Sequence, residues 1–472
     1  MSRCVSCRVE IGFETSGRFG SPLPDIRCRQ RFQSSIATNR WLILGIVARF
    51  PAGCFRPVVD IPMPVRIISV PPAQMPPESP PNESEWIACP TVCREWFGNG
   101  PIRCSQSGMP GLSGSAVYRV WRPAFREQFV LKSFGHRTVA HAVWVHRLMR
   151  HLRNEGIHQV PEVMSVGCFG LSPGPVTVAE NTLATAGDGS HWELIGFMPG
   201  SATDHPTLEQ ATLALETLAR VHVVAAQMPG EPPHHGMSPG HLQRIEQAEQ
   251  MLHVPWHVRR RAIQMPNLES RLASLWDRAE TIFAEADGTA ALKHIVRLRP
   301  APLLLQAVLR DIWSDHCLFS QGGGDGSAAD QPANEMQLTG MIDFHAAGID
   351  TPASDLSRLL GSWHPPTPAV QASFLEVWRE PLAAYQRVRP LQPLERAMVP
   401  FLHATAVIFS LDNWFRWTLE ERRTFPDIQR VYARMNRLLE HLPIAIEYVK
   451  ENDSAGGERC SQSRLTSRNR HL

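Results

Sequence analysis

Two aspartates in the second half of the chain have the residue type and spacing for phosphoryl transfer. Asp311 lies on a loop that runs into a short apolar strand, and Asp343 follows the next apolar strand, residues 338–342. A hairpin of these strands would bring both carboxylates to its mouth. Phosphoryl transfer needs a carboxylate that orients the attacking hydroxyl and hard oxygen ligands for Mg²⁺. We interpret Asp311 as a candidate catalytic base and Asp343 as a candidate metal ligand, although either alone could be an ordinary turn aspartate.

Lys132 is a candidate for binding nucleotide phosphates. Lysine is rare in this chain, which uses arginine for nearly all its positive charges, yet Lys132 follows the apolar run 129–131. The alternative is an ordinary lysine on an edge strand. A turn containing Gly111, Ser113 and Gly114 precedes the first strand, and its glycines would let the backbone approach phosphates closely. We therefore interpret Lys132 and this turn as a candidate nucleotide-binding site.

The residues before this candidate site predict the elements that must hold Lys132. Alternating residues at 116–120 and an apolar run at 129–134 predict antiparallel strands. A helix is predicted from about 138 to 153, and further strands at 176–180 and 192–198. The first half of the chain therefore predicts a small, strand-rich lobe with one helix.

The pattern becomes helical from Thr207, which forms a capping box with Gln210. Further helices are predicted at about residues 239–253, 267–285, 288–297, 368–386, 393–417 and 427–449. The hairpin with the two aspartates lies among these helices. The sequence thus predicts an α+β fold with a small antiparallel-sheet lobe and a larger, mainly helical lobe.

The predicted organisation has four parts. Residues 1–84 are expected to be a disordered or mis-assigned leader that ends in a proline-rich linker. Residues 85–200 form the small nucleotide-binding lobe, and residues 201–450 form the helical lobe with the catalytic hairpin. A flexible insert is predicted at 321–336, and a disordered tail at 451–472.

The composition argues against several kinds of partner. A formal net charge of +2 over 472 residues does not indicate the basic surface that nucleic acids require. No apolar run reaches the roughly 18 residues of a membrane span. Seven of the ten cysteines lie before residue 105, without the spacing of a four-ligand zinc site. We expect a cytoplasmic protein that acts on a small molecule, with no nucleic-acid or membrane partner; the sequence does not indicate its oligomeric state.

Residues 108–363 resemble the aminoglycoside phosphotransferase and choline kinase family, as a divergent member. The family motif His-Gly-Asp-x-x-x-x-Asn corresponds here to residues 309–316, LRDIWSDH, with Asp311 on the catalytic base. Asp343, in the sequence IDF, corresponds to the metal-binding aspartate. Asp355 corresponds to the aspartate that braces the catalytic loop in this family.

The resemblance implies a protein-kinase-like two-lobed fold with ATP and Mg²⁺ as cofactors. It also implies that the acceptor is a hydroxyl of a small molecule such as a sugar, an amino alcohol or an aminoglycoside-like compound. Residues 218–222, LARVH, are similar to the end of the family's first large-lobe helix. Leu309-Arg310 replaces the family's His-Gly, which puts a guanidinium next to the predicted base.

Two departures from the family pattern concern the metal and the lysine. His316 stands where the family has asparagine as the second metal ligand, and imidazole is a poorer ligand for a hard cation. His316 could coordinate directly or through water, or Asp315 could supply the oxygen. The predicted small-lobe helix has no acidic residue, so Lys132 lacks the usual glutamate partner; Asp343 and Glu155 are the alternatives.

The acceptor site is less defined, and two classes of function stay open. Residues that could form an aromatic and acidic pocket in the C-terminal helices are Trp363, Asp412, Trp414, Trp417 and Glu420. Such a pocket would suit a cationic amine or a sugar, but packing of these tryptophans in the core is the favoured interpretation. The protein is either an ATP-dependent phosphotransferase or a catalytically weakened kinase-like protein that binds a nucleotide or another ligand. Retention of both aspartates and the strand lysine favours the enzyme.

Overall fold

The structure is a computed structural model. It describes residues 87–106, 115–134, 138–169, 181–262, 270–298, 301–321, 335–365, 374–425 and 427–451. All of them belong to one compact unit, Ile68–Leu472. The predicted leader and tail, most of the predicted insert and the strand predicted at 176–180 lie outside the described residues.

The smaller lobe is an antiparallel sheet with two helices. Its strands, in the spatial order β1-β2-β3-β5-β4, are β1 (Arg103–Gln106), β2 (Val117–Arg122), β3 (Glu127–Ser133), β4 (Leu183–Thr185) and β5 (His191–Gly196). Its helices are α1 (Arg94–Phe97) and α2 (Val139–Asn154). Side chains alternate along β3, so Phe129 and Leu131 are buried in the lobe core while Lys132 lies on the other face. Thr138 begins α2 by accepting a hydrogen bond from the His141 amide.

The larger lobe is mainly helical. Its helices are α3 (Leu208–Ala225), α4 (Pro239–His253), α5 (Trp256–Ala262), α6 (Ser270–Glu285), α7 (Gly288–Arg297), α8 (Pro352–Ser362), α9 (Phe374–Val377), α10 (Arg379–Val388), α11 (Pro393–Phe415) and α12 (Ile428–Glu451). A π-helical segment, Arg416–Glu420, continues α11. The capping box predicted at Thr207 and Gln210 begins α3. The predicted two-lobed α+β architecture is therefore confirmed.

Short strands in the larger lobe support the candidate site. Their ranges are β6 (His234–Gly236), β7 (Leu303–Val308), β8 (Cys317–Gln321), β9 (Met336–Met341) and β10 (Gly348–Asp350). The strands β8 and β9 form the predicted hairpin, with Cys317 opposite Met341 at its mouth. Gln321 and Met336, which the sequence assigned to the flexible insert, pair with each other as strand ends. Strand pairing therefore extends further into this segment than its composition indicated.

The prediction of one continuous helix over residues 368–386 is wrong. The described part of this segment contains two helices, α9 and α10, separated at Trp378. Pro381 has no amide hydrogen, and its ring would clash with the carbonyl group of Val377 in a continuous helix. The break places the Trp378 side chain in the core, where it is buried.

One helical stretch of the described chain, Pro393–Glu420, is long and apolar enough to cross a membrane. Of its most apolar window, 67% is buried inside the protein. The helix packs against α8 and α12, which is the environment of a core helix in a folded domain.

Two cysteines of the small lobe, Cys89 and Cys104, are joined by a disulfide, and a third, Cys93, is buried. Burial raises the pKa of the Cys93 thiol to about 11, so it does not present the thiolate that metals bind. Because disulfides are unusual in a reducing cytosol, the cytoplasmic location stays a prediction.

Candidate active site

Lys132 and Asp343 form an ion pair within the cleft. The Lys132 Nζ atom lies 2.6 Å from Asp343 Oδ1. Asp343 is therefore the lysine partner that the sequence left open, whereas Glu155 caps the C-terminus of α2. Burial opposes ionisation of Asp343, but the nearby charges of Lys132, His316 and His345 outweigh it and lower its pKa to about 2. Asp343 is thus a carboxylate at neutral pH.

His316 is the second residue close to the Asp343 carboxylate. Its Nε2 atom lies 3.7 Å from Asp343 Oδ2, and its buried Nδ1 has no hydrogen-bond partner among the described residues. Burial lowers the pKa of His316, although Asp343 and Asp311 oppose the shift. The ring is therefore neutral at pH 7 and offers a lone pair. Two ligands that each lie about 2.1 Å from one ion can be up to about 4 Å apart, so this oxygen and this nitrogen fit a divalent ion.

Asp315, the alternative oxygen donor, is engaged elsewhere. Arg430 donates to both of its carboxylate oxygens, at 2.8 and 2.9 Å. A carboxylate that already neutralises a guanidinium is a weaker competitor for a metal ion. Of the two residues considered for the asparagine position, His316 is the one next to Asp343.

Asp311 lies in the open part of the cleft, with 44% of its side chain exposed. Arg358 donates to its Oδ1 atom from Nε at 2.9 Å and from a terminal nitrogen at 2.8 Å. The other oxygen, Oδ2, has no hydrogen-bond partner within the described ranges. A carboxylate held through one oxygen can accept a proton through the other. The sequence predicted the guanidinium of Arg310 next to Asp311. The guanidinium found there is that of Arg358, whereas Arg310 Nε lies 3.8 Å from Asp350.

Asp355 holds the backbone that precedes Asp311. Its two oxygens accept the amide hydrogens of Leu309 and Arg310, at 2.7 and 2.6 Å. His222 Nε2 donates to the same carboxylate at 3.0 Å, and the Tyr385 hydroxyl lies 2.7 Å from His222 Nδ1. Arg310 has a φ of 63°, a left-handed conformation that costs a side-chain-bearing residue about 1–2 kcal/mol. The family motif has glycine there, and the Asp355 bond to the Arg310 amide stabilises this strained turn.

We expect Asp355→Ala to lower the free energy of unfolding by about 3–5 kcal/mol, because it leaves two backbone amides and a buried histidine without their acceptor. Urea unfolding followed by circular dichroism measures the loss. The control is Asp204→Ala, which removes an exposed carboxylate and should change stability by less than about 0.5 kcal/mol. Equal losses in the two variants would contradict the bracing role.

A buried histidine–glutamate–histidine cluster links α2 to the segment that follows Asp343. Glu193, the cross-strand neighbour of Lys132, accepts hydrogen bonds from His146 Nε2 at 2.6 Å and from His345 Nε2 at 2.7 Å. Burial opposes ionisation of Glu193, but the His345 charge and the His146 bond outweigh it and lower its pKa. This cluster connects α2 to the sheet. In the family pattern described above, a lysine–glutamate pair makes that connection. No sequence pattern predicted this cluster, because its bonded pairs are 47 and 152 positions apart.

Arginines of the helical lobe surround Trp313, two positions after Asp311. The guanidinium carbons of Arg358 and Arg434 lie 4.7 and 4.0 Å from the centre of the Trp313 ring. Arg430 lies one turn before Arg434 on α12 and pairs with Asp315. These arginines were not predicted from the sequence. Arg430 and Arg434 could have been paired, because residues four positions apart on a predicted helix lie on one face.

The less favoured alternative from the sequence, an aromatic and acidic acceptor pocket, is not formed by the residues considered for it. Trp414 lines the cleft. Asp412 and Glu420 both bind Arg259, and Trp363 is buried in the core. The favoured interpretation of core packing is therefore right for Trp363, and the acidic residues serve an ion pair.

The cleft has a volume of about 570 Å³ and is lined by residues of both lobes. The predicted site residues that line it are Lys132, Asp311, His316 and Asp343. The predicted site residues that lie outside the described part of the chain are Gly111, Ser113 and Gly114. The strand lysine and both aspartates, far apart in sequence, therefore share one cavity.

Two lobes with a lysine–aspartate pair and a second aspartate in the cleft define the class of protein-kinase-like phosphotransferases. Residues 109–391 match the model of the Phosphotransferase enzyme family. The match spans more than half of the chain, and the protein belongs to this family. The resemblance inferred from the motifs is thereby confirmed.

Curated relatives and solved structures show what this chain is similar to. It is 24% identical over 343 residues to homoserine kinase of Polaromonas naphthalenivorans (strain CJ2), covering 72% of this chain and 84% of that protein. Homoserine kinase of Paraburkholderia xenovorans (strain LB400) is 24% identical over 351 residues, with coverages of 72% and 83%. A spectinomycin phosphotransferase in complex with ADP and spectinomycin has a TM-score of 0.48 at 10% identity, with coverages of 75% and 96%. An amicoumacin kinase bound to AMP-PNP and Ca²⁺ has a TM-score of 0.44 at 13% identity, with coverages of 78% and 93%.

Proposed function

We propose that this protein is an ATP-dependent phosphotransferase that transfers the γ-phosphoryl group to a hydroxyl of a small molecule. The observation that carries the proposal is the shared cleft, in which Asp343 pairs with Lys132 while Asp311 keeps one carboxylate oxygen without a partner among the described residues. The kinases among the relatives support a small molecule as the acceptor.

Each charged residue of the cleft has a role in this proposal. Lys132 binds the nucleotide phosphates through its charge. Asp343 and His316 would hold a divalent ion, whose positive charge would offset the charge that develops on the transferred phosphoryl group. Asp311 orients the acceptor hydroxyl and accepts its proton at Oδ2, while Arg358 holds the carboxylate in place.

The donor set bears on which ion is used. Mg²⁺ is the ion that the family implies, and Asp343 supplies the oxygen that it prefers. An imidazole nitrogen suits Mn²⁺ and later transition metals better than Mg²⁺. We therefore propose that both ions support activity and that His316 raises the affinity for Mn²⁺ relative to Mg²⁺.

A second candidate function is a kinase-like protein that binds a nucleotide with weak or no catalysis. It is favoured by His316 at the asparagine position and by the different partner of Lys132. Both candidates predict ATP binding, but only the enzyme requires the metal for turnover.

A thermal-shift titration with ATP, with and without Mg²⁺ or Mn²⁺, tests the proposed function. Binding to the folded state alone stabilises it by about 2.7 kcal/mol at a ligand concentration of 100 times Kd. We expect a rise in Tm that requires the metal, together with slow metal-dependent ATP hydrolysis in the absence of an acceptor. A shift that ignores the metal, without hydrolysis, would support the binding protein, and no shift at all would exclude both.

A further inference from the structure

We propose that the helical-lobe wall of the cleft binds a carboxylate of the acceptor, with Arg434 as the anion-binding group and Trp313 as its support. The acceptor class is then a hydroxy acid or hydroxy amino acid, and not a polycationic amine. This inference rests on the proposed phosphotransferase function and specifies its acceptor.

The contacts of Arg434 distinguish it from its neighbours. It lies on α12, lines the cleft and stacks on Trp313, with its guanidinium carbon 4.0 Å from the ring centre. Arg358 is paired with Asp311. Arg430, which also lies on α12 and lines the cleft, is paired with Asp315. For Arg434 the part of the chain that the structure describes supplies neither a hydrogen bond nor an ion pair.

The electrostatic setting of Arg434 favours an anion beside it. Burial lowers its pKa to about 9; the positive charges of Arg358 and Arg437 add to the effect, and the carboxylates of Asp315 and Asp311 oppose it. The guanidinium is still charged at neutral pH, and its charge is only partly compensated. A carboxylate can accept two parallel N–H bonds from a guanidinium, which is a strong and directional arrangement. Stacking on Trp313 holds the fork in place before the ligand arrives.

The position of Arg434 assigns the anion to the acceptor and not to the nucleotide. Trp313 lies on the loop that carries Asp311, and Arg358 contacts both that ring and the Asp311 carboxylate. The anion site is thus built on the loop of the predicted base, where the attacking hydroxyl must lie. Lys132 and Asp343, on the β3 strand and the β9 side of the hairpin, provide the phosphate and metal site instead.

The charges along this wall also argue against polycationic acceptors. A ligand with several ammonium groups would meet the guanidinium of Arg434, which no described carboxylate pairs with, and would lose affinity by repulsion. Asp427, a further carboxylate of the cleft beside Asp311 and Asp315, accepts the Arg430 amide hydrogen at 3.0 Å and is exposed. It is available to a single ammonium group, so the wall suits a zwitterion as well as a simple hydroxy acid.

Isothermal titration calorimetry on the full chain saturated with ADP and Mn²⁺ tests the inference. The probes are 4-hydroxybutanoate, L-homoserine and 3-aminopropan-1-ol, which share a primary hydroxyl and differ in the carboxylate and the amine. We expect both carboxylates to bind at least tenfold more tightly than the amino alcohol. In Arg434→Met their affinity should fall by about tenfold to a hundredfold, the usual effect of losing a charge-assisted hydrogen bond, while the affinity for ADP changes by less than twofold.

Two further variants complete the design. Arg434→Lys keeps the positive charge but removes the two parallel N–H donors of the guanidinium, so it should lose less carboxylate affinity than Arg434→Met. If circular dichroism shows that Arg434→Met is unfolded, Arg434→Lys replaces it in the test. Arg396→Met, an exposed arginine on α11, is the matched control and should bind all probes like the wild type.

Four results would overturn the inference. They are equal affinity for the amino alcohol and the carboxylates, unchanged carboxylate affinity in the Arg434 variants, no binding of either carboxylate, and a loss confined to ADP, which would assign the anion to a nucleotide phosphate. Because calorimetry of the acceptor requires no turnover, these results are separate from failure of the proposed function, which is read from metal-dependent ATP binding and hydrolysis.

Discussion

Replacement of Asp311 by asparagine is expected to reduce kcat by about 10²–10⁴-fold, the usual contribution of a general base. Asparagine has the same shape but cannot accept the proton of the acceptor hydroxyl. The measurement is metal-dependent release of ADP from ATP, with the phosphorylated product detected by mass spectrometry. ATP binding should persist, because the contacts assigned to the nucleotide are those of Lys132 and Asp343.

The controls for Asp311→Asn separate chemistry from folding. The thermal shift with ATP and metal should equal that of the wild type within about 1 °C, since the phosphate and metal sites are intact. Arg358→Lys is the matched variant, because it keeps a cation near Asp311 but loses the two-nitrogen contact with Oδ1. It should retain more activity than Asp311→Asn. Activity of Asp311→Asn within threefold of the wild type would mean that the base is another residue.

Replacement of Asp343 by asparagine is expected to abolish metal-dependent ATP binding and to lower kcat/KM by at least about 10³-fold. Metal clamps on transferring phosphoryl groups contribute on this scale. The substitution removes the carboxylate whose pKa is held at about 2 by Lys132 and the neighbouring histidines, and with it the charge that a divalent ion requires. The thermal shift should then be the same with and without metal.

A matched substitution at the neighbouring residue tests the metal site in another way. His316→Asn restores the amide oxygen of the family motif and should raise the affinity for Mg²⁺ relative to Mn²⁺. Electron paramagnetic resonance of bound Mn²⁺ measures this affinity without any need for turnover. If Asp343→Asn binds Mn²⁺ as tightly as the wild type, the site assigned to Asp343 and His316 is wrong.

How much of the candidate site could be predicted depends on how far apart in the sequence the contacting residues lie. The two aspartates could be predicted together because each follows or precedes an apolar strand of one hairpin, a local pattern. Lys132 could be predicted because a charged residue at the end of a buried strand is unusual in a chain so poor in lysine. The partner of Lys132 could only be narrowed to two carboxylates, since Asp343 lies 211 positions further along the chain.

Local signals also explain where the helices were predicted well and where they were not. Thr207 and Gln210 satisfy backbone amides within one turn, so the start of α3 is encoded in four residues. The segment before Val388 was predicted as one helix because its apolar spacing is continuous, but the steric effect of Pro381 divides it. That prediction gave more weight to the apolar periodicity than to the proline. In the structure the proline ends the first helix.

The amino-acid pattern alone predicted the two-lobed class of fold and the hairpin with the two aspartates, because alternation, helical spacing and capping act between residues close in sequence. The family was inferred from the resemblance of residues 309–316 and of Asp343 to its motifs. The tertiary structure decided which charges meet: Arg358 at Asp311, Asp355 beneath the strained turn at Arg310, and Arg434 over Trp313. These pairs join residues at least 45 positions apart, and no local propensity specifies them. They form because burial of a charge is tolerated only where the assembled core supplies a partner. For Arg434 the partner that we propose is a carboxylate of the acceptor.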